Sequence, residues 1–187
     1  MSMSYRLLWR LPLCVFIGVV IAGCERSARD AGGPPSFADA SAKAELPAGL
    51  FLEQAPGNAK DVGELKGDSD TAGDVVVHGR IGGRRDPFVA GRAMFMLADL
   101  EMPTCDERHE DECPTPWDYC CEPKDKLLAS TATVQVVGAD GRPLAIGLNG
   151  RNGLKPQARV VVSGRVSKRD ADNVLVIDAT GIFVQKG

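Results

Sequence analysis

Between Cys105 and Cys121 the chain reads Cys-Asp-Glu-Arg-His-Glu-Asp-Glu-Cys-Pro-Thr-Pro-Trp-Asp-Tyr-Cys-Cys, gathering most of its six cysteines and one of its two histidines in one short stretch. Thiols at that density cross-link, bind metal or exchange electrons. Cys105, Cys113, Cys120 and Cys121 form an even set, which in an oxidising compartment reads first as two disulfides. A bond between adjacent Cys120 and Cys121 needs strained geometry. That leaves Cys105–Cys120 with Cys113–Cys121, or Cys105–Cys121 with Cys113–Cys120, each loop contributing about 3 kcal/mol in the chain-entropy picture.

Metal is the alternative. Cys105, His109 and Cys113 recur at four-residue intervals, with Cys120 and Cys121 available to complete a tetrahedral zinc site. Asp106, Glu107, Glu110, Asp111, Glu112 and Asp118 attract cations in general. Against metal, no C-x-x-C pair is present, and adjacent cysteines fit one small ion poorly. The missing C-x-x-C also argues against a redox role. The expectation is therefore a disulfide clasp with no cofactor, and zinc as the alternative. Trp117 and Tyr119 read as packing over the sulfurs and, with Arg80 and Arg92, as candidates for a ligand face. A lesser metal idea joins His78 to Met94 and Met96, which share a strand face as soft copper ligation requires; core filling by the methionines is the plainer reading.

The N-terminus bears on the redox compartment. Arg6 and Arg10 precede an uncharged, mostly apolar run, Leu11 to Gly23. A membrane-spanning helix needs about 20 apolar residues, so this run suits a cleaved export signal. It ends in Ile21-Ala22-Gly23-Cys24, which resembles the lipobox of bacterial lipoproteins. The resemblance implies diacylation of Cys24, removal of residues 1–23 and an exported, lipid-anchored domain at a bacterial cell membrane, in the periplasm or on the outer surface. Acyl chains contribute about 0.8 kcal/mol per buried methylene.

The rest of the chain must position the cysteines. Residues 24–58 are rich in Ala, Gly, Pro, Ser and Asp and read as a flexible linker, with Leu50-Phe51-Leu52 able to dock on the domain. Residues 59–72 read as a boundary with a short helix over Ala59–Lys66, on the i, i+3 spacing of Val62 and Leu65. From residue 73 to 187 the pattern is β: strands are expected over 75–81, 93–100, 131–137, 144–148, 159–166 and 174–184, with residues 101–128 as a cysteine-rich insertion and no convincing helical period. Val75-Val76-Val77-His78-Gly79-Arg80-Ile81 is echoed by Val160-Val161-Val162-Ser163-Gly164-Arg165-Val166, each a β-branched run broken by a Gly that permits a bend. With Phe95–Asp99 and Val174–Ala179, these segments resemble OB-fold proteins, which implies an all-β, five-stranded Greek-key barrel closed by its first and fourth strands. Cys113 to Cys121, with its flanking strands, is further similar to uncharacterised bacterial lipoproteins that carry a Pro-Trp-Asp-Tyr-Cys-Cys insertion in such a barrel. That resemblance implies no activity.

Composition narrows the function. The chain has a net charge of −3, which argues against a generally basic nucleic-acid binder; strand aromatics for base stacking are confined to Phe95 and Phe183. No nucleophile motif, H-E-x-x-H or phosphate-cradling loop appears, and Gly79–Gly83 leads to Asp86-Pro87 rather than a helix. The expectation is a non-catalytic, membrane-anchored binding or envelope-organising module. Its partners are the membrane through the lipid and an envelope protein or anionic glycan. Metal binding, and OB-type nucleic-acid or oligosaccharide binding, are the alternatives.

Overall fold

Alternation of buried β-branched residues builds the strands. In the computed structural model, which describes residues 45–68, 73–108, 113–170 and 172–186, β1 (Asp74–Ile81) turns Val75, Val77 and Ile81 inward. Phe95 and Leu97 do so from β2 (Met94–Ala98), and Ala132 and Val134 from β3 (Thr131–Gln135). β4 (Arg159–Arg169) contributes Val160 and Val162, and β5 (Leu175–Val184) contributes Leu175, Ile177 and Ile182. Period-two burial of this kind is what a strand with one covered face requires. The strands close into a barrel in the order β1-β2-β3-β5-β4. All neighbours are antiparallel except β3 and β5, which run parallel with Val134 opposite Ile177.

The two echoing segments pair with each other. Val77 lies opposite Val162, Gly79 opposite Val160, and Gly164 opposite Val75. Both glycines are required by close approach: a Cβ at Gly79 would come within 2.6 Å of Ala98 O, and one at Gly164 would collide with Asp178 O. The β4–β5 register shifts at Ser163/Gly164, a bulge that bends the strand.

Residues ahead of β1 pack on the barrel. Leu50 is buried in the core, Phe51 bridges Ile182, and Lys60 bridges Val77. The helix α1 (Val62–Gly67) buries Val62 and Leu65. Gly63, a poor helix former, has its N–H fixed by the buried Asp99 Oδ2 at 2.6 Å. Arg169 donates to the carbonyls of Leu65 and Lys66 at the far end.

Two expectations need correction. Residues 144–148 are not a strand. Beside the isolated Val137–Pro143 bridge, Leu144 donates to Val136 O and accepts from Ala93 N, both at 2.9 Å. The chain then turns, with Ile146 N on Leu144 O at 2.8 Å, so Leu144 and Ile146 cover the core from a loop. The β region also contains a helix, α2 (Lys124–Ala129), too short to show a period. Residues 1–44 and 109–112 lie outside the described residues, and with them the export signal, Cys24, the first part of the expected linker and His109. Among the described residues no helix is long and apolar enough to cross a membrane.

Candidate metal centre

The cysteines sit in the connection between β2 and β3, folded into short turns. Thr104 and Glu107 form a reciprocal capping box around the 3-10 turn Cys105–Glu107, with Glu107 Oε2 accepting from Thr104 N at 2.9 Å. A second 3-10 turn, Pro116–Asp118, starts on a proline and ends at Tyr119 in the left-handed conformation, φ 54°. Asp118 organises that turn: its Oδ2 accepts from Thr115 Oγ1 at 2.7 Å and its Oδ1 from Cys120 N at 3.0 Å. The result is convergence. The Sγ atoms of Cys105, Cys113 and Cys120 and a carboxylate oxygen of Asp118 all lie within 4.8 Å of one another. Cys121 Sγ stands 3.9 Å from Cys120 Sγ.

No disulfide joins these cysteines in the structure. Cys105 is buried, Cys113 half-buried, and Cys120 and Cys121 exposed, so the cluster has one dry and one wet side. Burial, together with the Cys121 and Cys113 thiols beside it, pushes the Cys105 thiol up to about 11. The Asp118 carboxylate, followed by Cys121, raises Cys120. The Cys105 and Cys120 thiols thus resist ionisation in the absence of a cation. Burial of the Asp118 carboxyl is outweighed by hydrogen bonds from Thr115 and Cys120, which hold it below its ordinary range. A cation among them would relieve the cost of ionising the two thiols.

Three sets of directional contacts hold the centre on the barrel, and a fourth, around Glu122, braces the insertion internally. Arg80 projects from β1, only 4% exposed, and forks onto Glu107 through Nη2–Oε1 at 2.9 Å and Nη1–Oε2 at 3.2 Å. Burial alone would lower the Arg80 guanidinium; the bonds to Glu107 and the neighbouring Tyr119 outweigh it. Glu122, just past the cysteines, pairs with Arg108 and, at 2.9 Å, with Lys126. Trp117 Nε1 donates to Arg85 O at 2.9 Å, and Gly83 N donates to Trp117 O at 2.8 Å. A Cβ at Gly82 would come within 2.6 Å of that same Trp117 carbonyl. Gln157 Nε2 donates to Asp106 Oδ2 at 3.1 Å.

The proposed ligand face is therefore not an open surface. Tyr119 is 1% exposed and Arg80 is spent on Glu107, because both are needed to seat the insertion. Trp117 is half-buried in the same contact. Arg92 is exposed and faces another segment, donating to Pro143 O at 3.4 Å. The copper idea also dissolves. The β1–β2 register places Arg80 opposite Ala98, so His78 falls beyond the paired end of β2 and away from Met94 and Met96. His78 Nε2 lies 2.7 Å from Asp61 Oδ1, and Met96 Sδ accepts from Thr133 Oγ1 at 3.5 Å.

Asp118 was legible only as one acid among many; its place two residues before Cys120, in a turn begun by Pro116, was the available signal. Comparison with family models, curated proteins and solved structures finds no match for the chain.

Proposed function

We propose that this protein is an exported, lipid-anchored metal-binding module, in which an OB-type barrel presents a thiolate centre for a thiophilic divalent ion, zinc in the first place. One observation carries the reading: three thiols and a carboxylate within 4.8 Å of one another. A zinc–sulfur bond of about 2.3 Å sets sulfurs about 3.8 Å apart around a tetrahedron. The cluster reaches that by contracting about an ångström at most. Asp118 fits the fourth position, since ligating carboxylates are themselves hydrogen-bonded, here by Thr115 and Cys120 N. Four protein ligands fill a tetrahedron and leave no open position for substrate, which supports binding rather than catalysis.

The strand order, with antiparallel closure of β1 on β4 and the parallel β3–β5 pair, supports a Greek-key barrel of OB type. The Ile21-Ala22-Gly23-Cys24 sequence supports acylation at Cys24 and an envelope address. That same address favours oxidation, so two disulfides are the rival state of these thiols. Cobalt substitution tests the reading. The reduced, metal-free protein is titrated with Co²⁺ under nitrogen. One equivalent should raise sulfur-to-cobalt charge-transfer and tetrahedral visible bands that zinc then abolishes; no such bands would refute the centre.

A further inference from the structure

Away from the cysteines, a chain of net negative charge gathers cations around one cavity. This cavity, about 530 Å³, lies where the segment before β4 meets the end of β5, and Lys155, Arg159 and Lys186 line it without a single acidic side chain. None of the three makes an ion pair or hydrogen bond through its side chain among the described residues. The contrast within β4 is direct: Arg165 pairs with Asp74, Lys168 with Asp170, and Arg169 with two backbone carbonyls, whereas Arg159 has no such partner.

The remaining lining adds a second chemistry. Ala158 and Val184 present apolar surface, and the amides of Gln157 and Gln185 stand at the wall. Gln157 is held in the left-handed region, φ 66°, with its N–H on Ile81 O at 2.9 Å. A residue other than glycine kept there is a strained one, and strain of this kind concentrates at ligand sites. Its Nε2 is committed to Asp106, which leaves Oε1 as an acceptor. Asp106 is the nearby acid, and its charge is already shared with Thr104 Oγ1 at 2.5 Å.

The geometry points to a binding site for an acidic saccharide, a sugar chain bearing carboxylates, in this cavity. Arg159 offers a planar fork to a carboxylate, and the two lysines act as point charges. The glutamine amides suit hydroxyls, and the apolar floor suits the C–H face of a pyranose ring. The volume falls in the range of small-molecule sites. No aromatic side chain lines the cavity to stack a base, which favours a sugar over a single-stranded nucleic acid. This site does not depend on the ion at the cysteines.

Calorimetric titration of the full chain in detergent with trigalacturonate, maltotriose and a thymidine hexanucleotide tests it. Trigalacturonate binds, the neutral trimer does not, and the oligonucleotide is much weaker. Arg159→Gln weakens trigalacturonate by about tenfold, and adding Lys155→Glu weakens it further. Both side chains are exposed, and circular dichroism with cobalt stoichiometry verifies that barrel and centre are intact. No trigalacturonate binding, equal affinity for maltotriose or the oligonucleotide, or an affinity indifferent to both substitutions would overturn the proposal.

Discussion

Phe95, Leu97, Val134 and Ile177 are completely or almost completely buried inside the barrel, whereas the described part of the cysteine insertion buries few apolar or sulfur side chains, chiefly Met102, Cys105 and Tyr119. The barrel is held by area removed from water. The insertion is held by Arg80 on Glu107, Glu122 between Arg108 and Lys126, and the Trp117 bonds to the β1–β2 loop. Such contacts are worth little each when exposed and fix geometry more than they add stability. A loop too small for a core needs a staple, as small domains do. The sulfur cluster is where that staple belongs, either as a bound ion or as cross-links.

The comparison breaks if removing the centre unfolds the barrel. Cys113→Ser should lower zinc affinity by more than about a hundredfold in chelator competition, with the barrel's thermal transition unchanged. Phe95→Ala is the converse: urea unfolding should show about 3–5 kcal/mol of lost stability from a cavity beside Leu97 and Val134. Arg80→Met sharpens the boundary between the two regions. It strands Glu107 and should release the insertion at a cost of about 1–2 kcal/mol, given Glu107's exposure. Hydrogen exchange would detect this as faster exchange in residues 101–108 with the strands protected.

The smallest effect is in acid. Arg80 holds the Glu107 carboxyl below its ordinary 4.5. A depressed acid stabilises the fold above its unfolded pKa and loses that contribution as pH falls through the folded one. Native-state proteolysis of the insertion should therefore accelerate as pH drops below about 4.5, and Glu107→Gln should flatten that dependence while raising cleavage at neutral pH.

Much of the barrel was legible because its signals are local. Val75–Ile81 and Val160–Val166 have the same β-branched run and the same bending glycine, and they turn out to be partners. Leu144–Leu148 has strand composition, but after Leu144 pairs with Val136 and Ala93 the chain turns at Ile146 and the ladder stops, a matter of tertiary geometry rather than of composition. The thiols of the site could be read from spacing. Their support could not, since Arg80 and Glu107 are 27 residues apart and Asp106 and Gln157 are 51 apart. Arg80 looked like a free surface cation because a buried arginine declares itself only through its carboxylate.

The central claim is that the cysteines hold an ion rather than each other. Its most direct test is mass spectrometry of the full chain, produced through an oxidising export route and kept free of reductant. Native spectra count bound metal, and alkylation after denaturation counts thiols on the fragments carrying residues 105–121. The account predicts one ion in the native spectrum and alkylation of Cys105, Cys113, Cys120 and Cys121 once it is released. No ion and no alkylation at those four positions would contradict it and make the insertion a disulfide clasp.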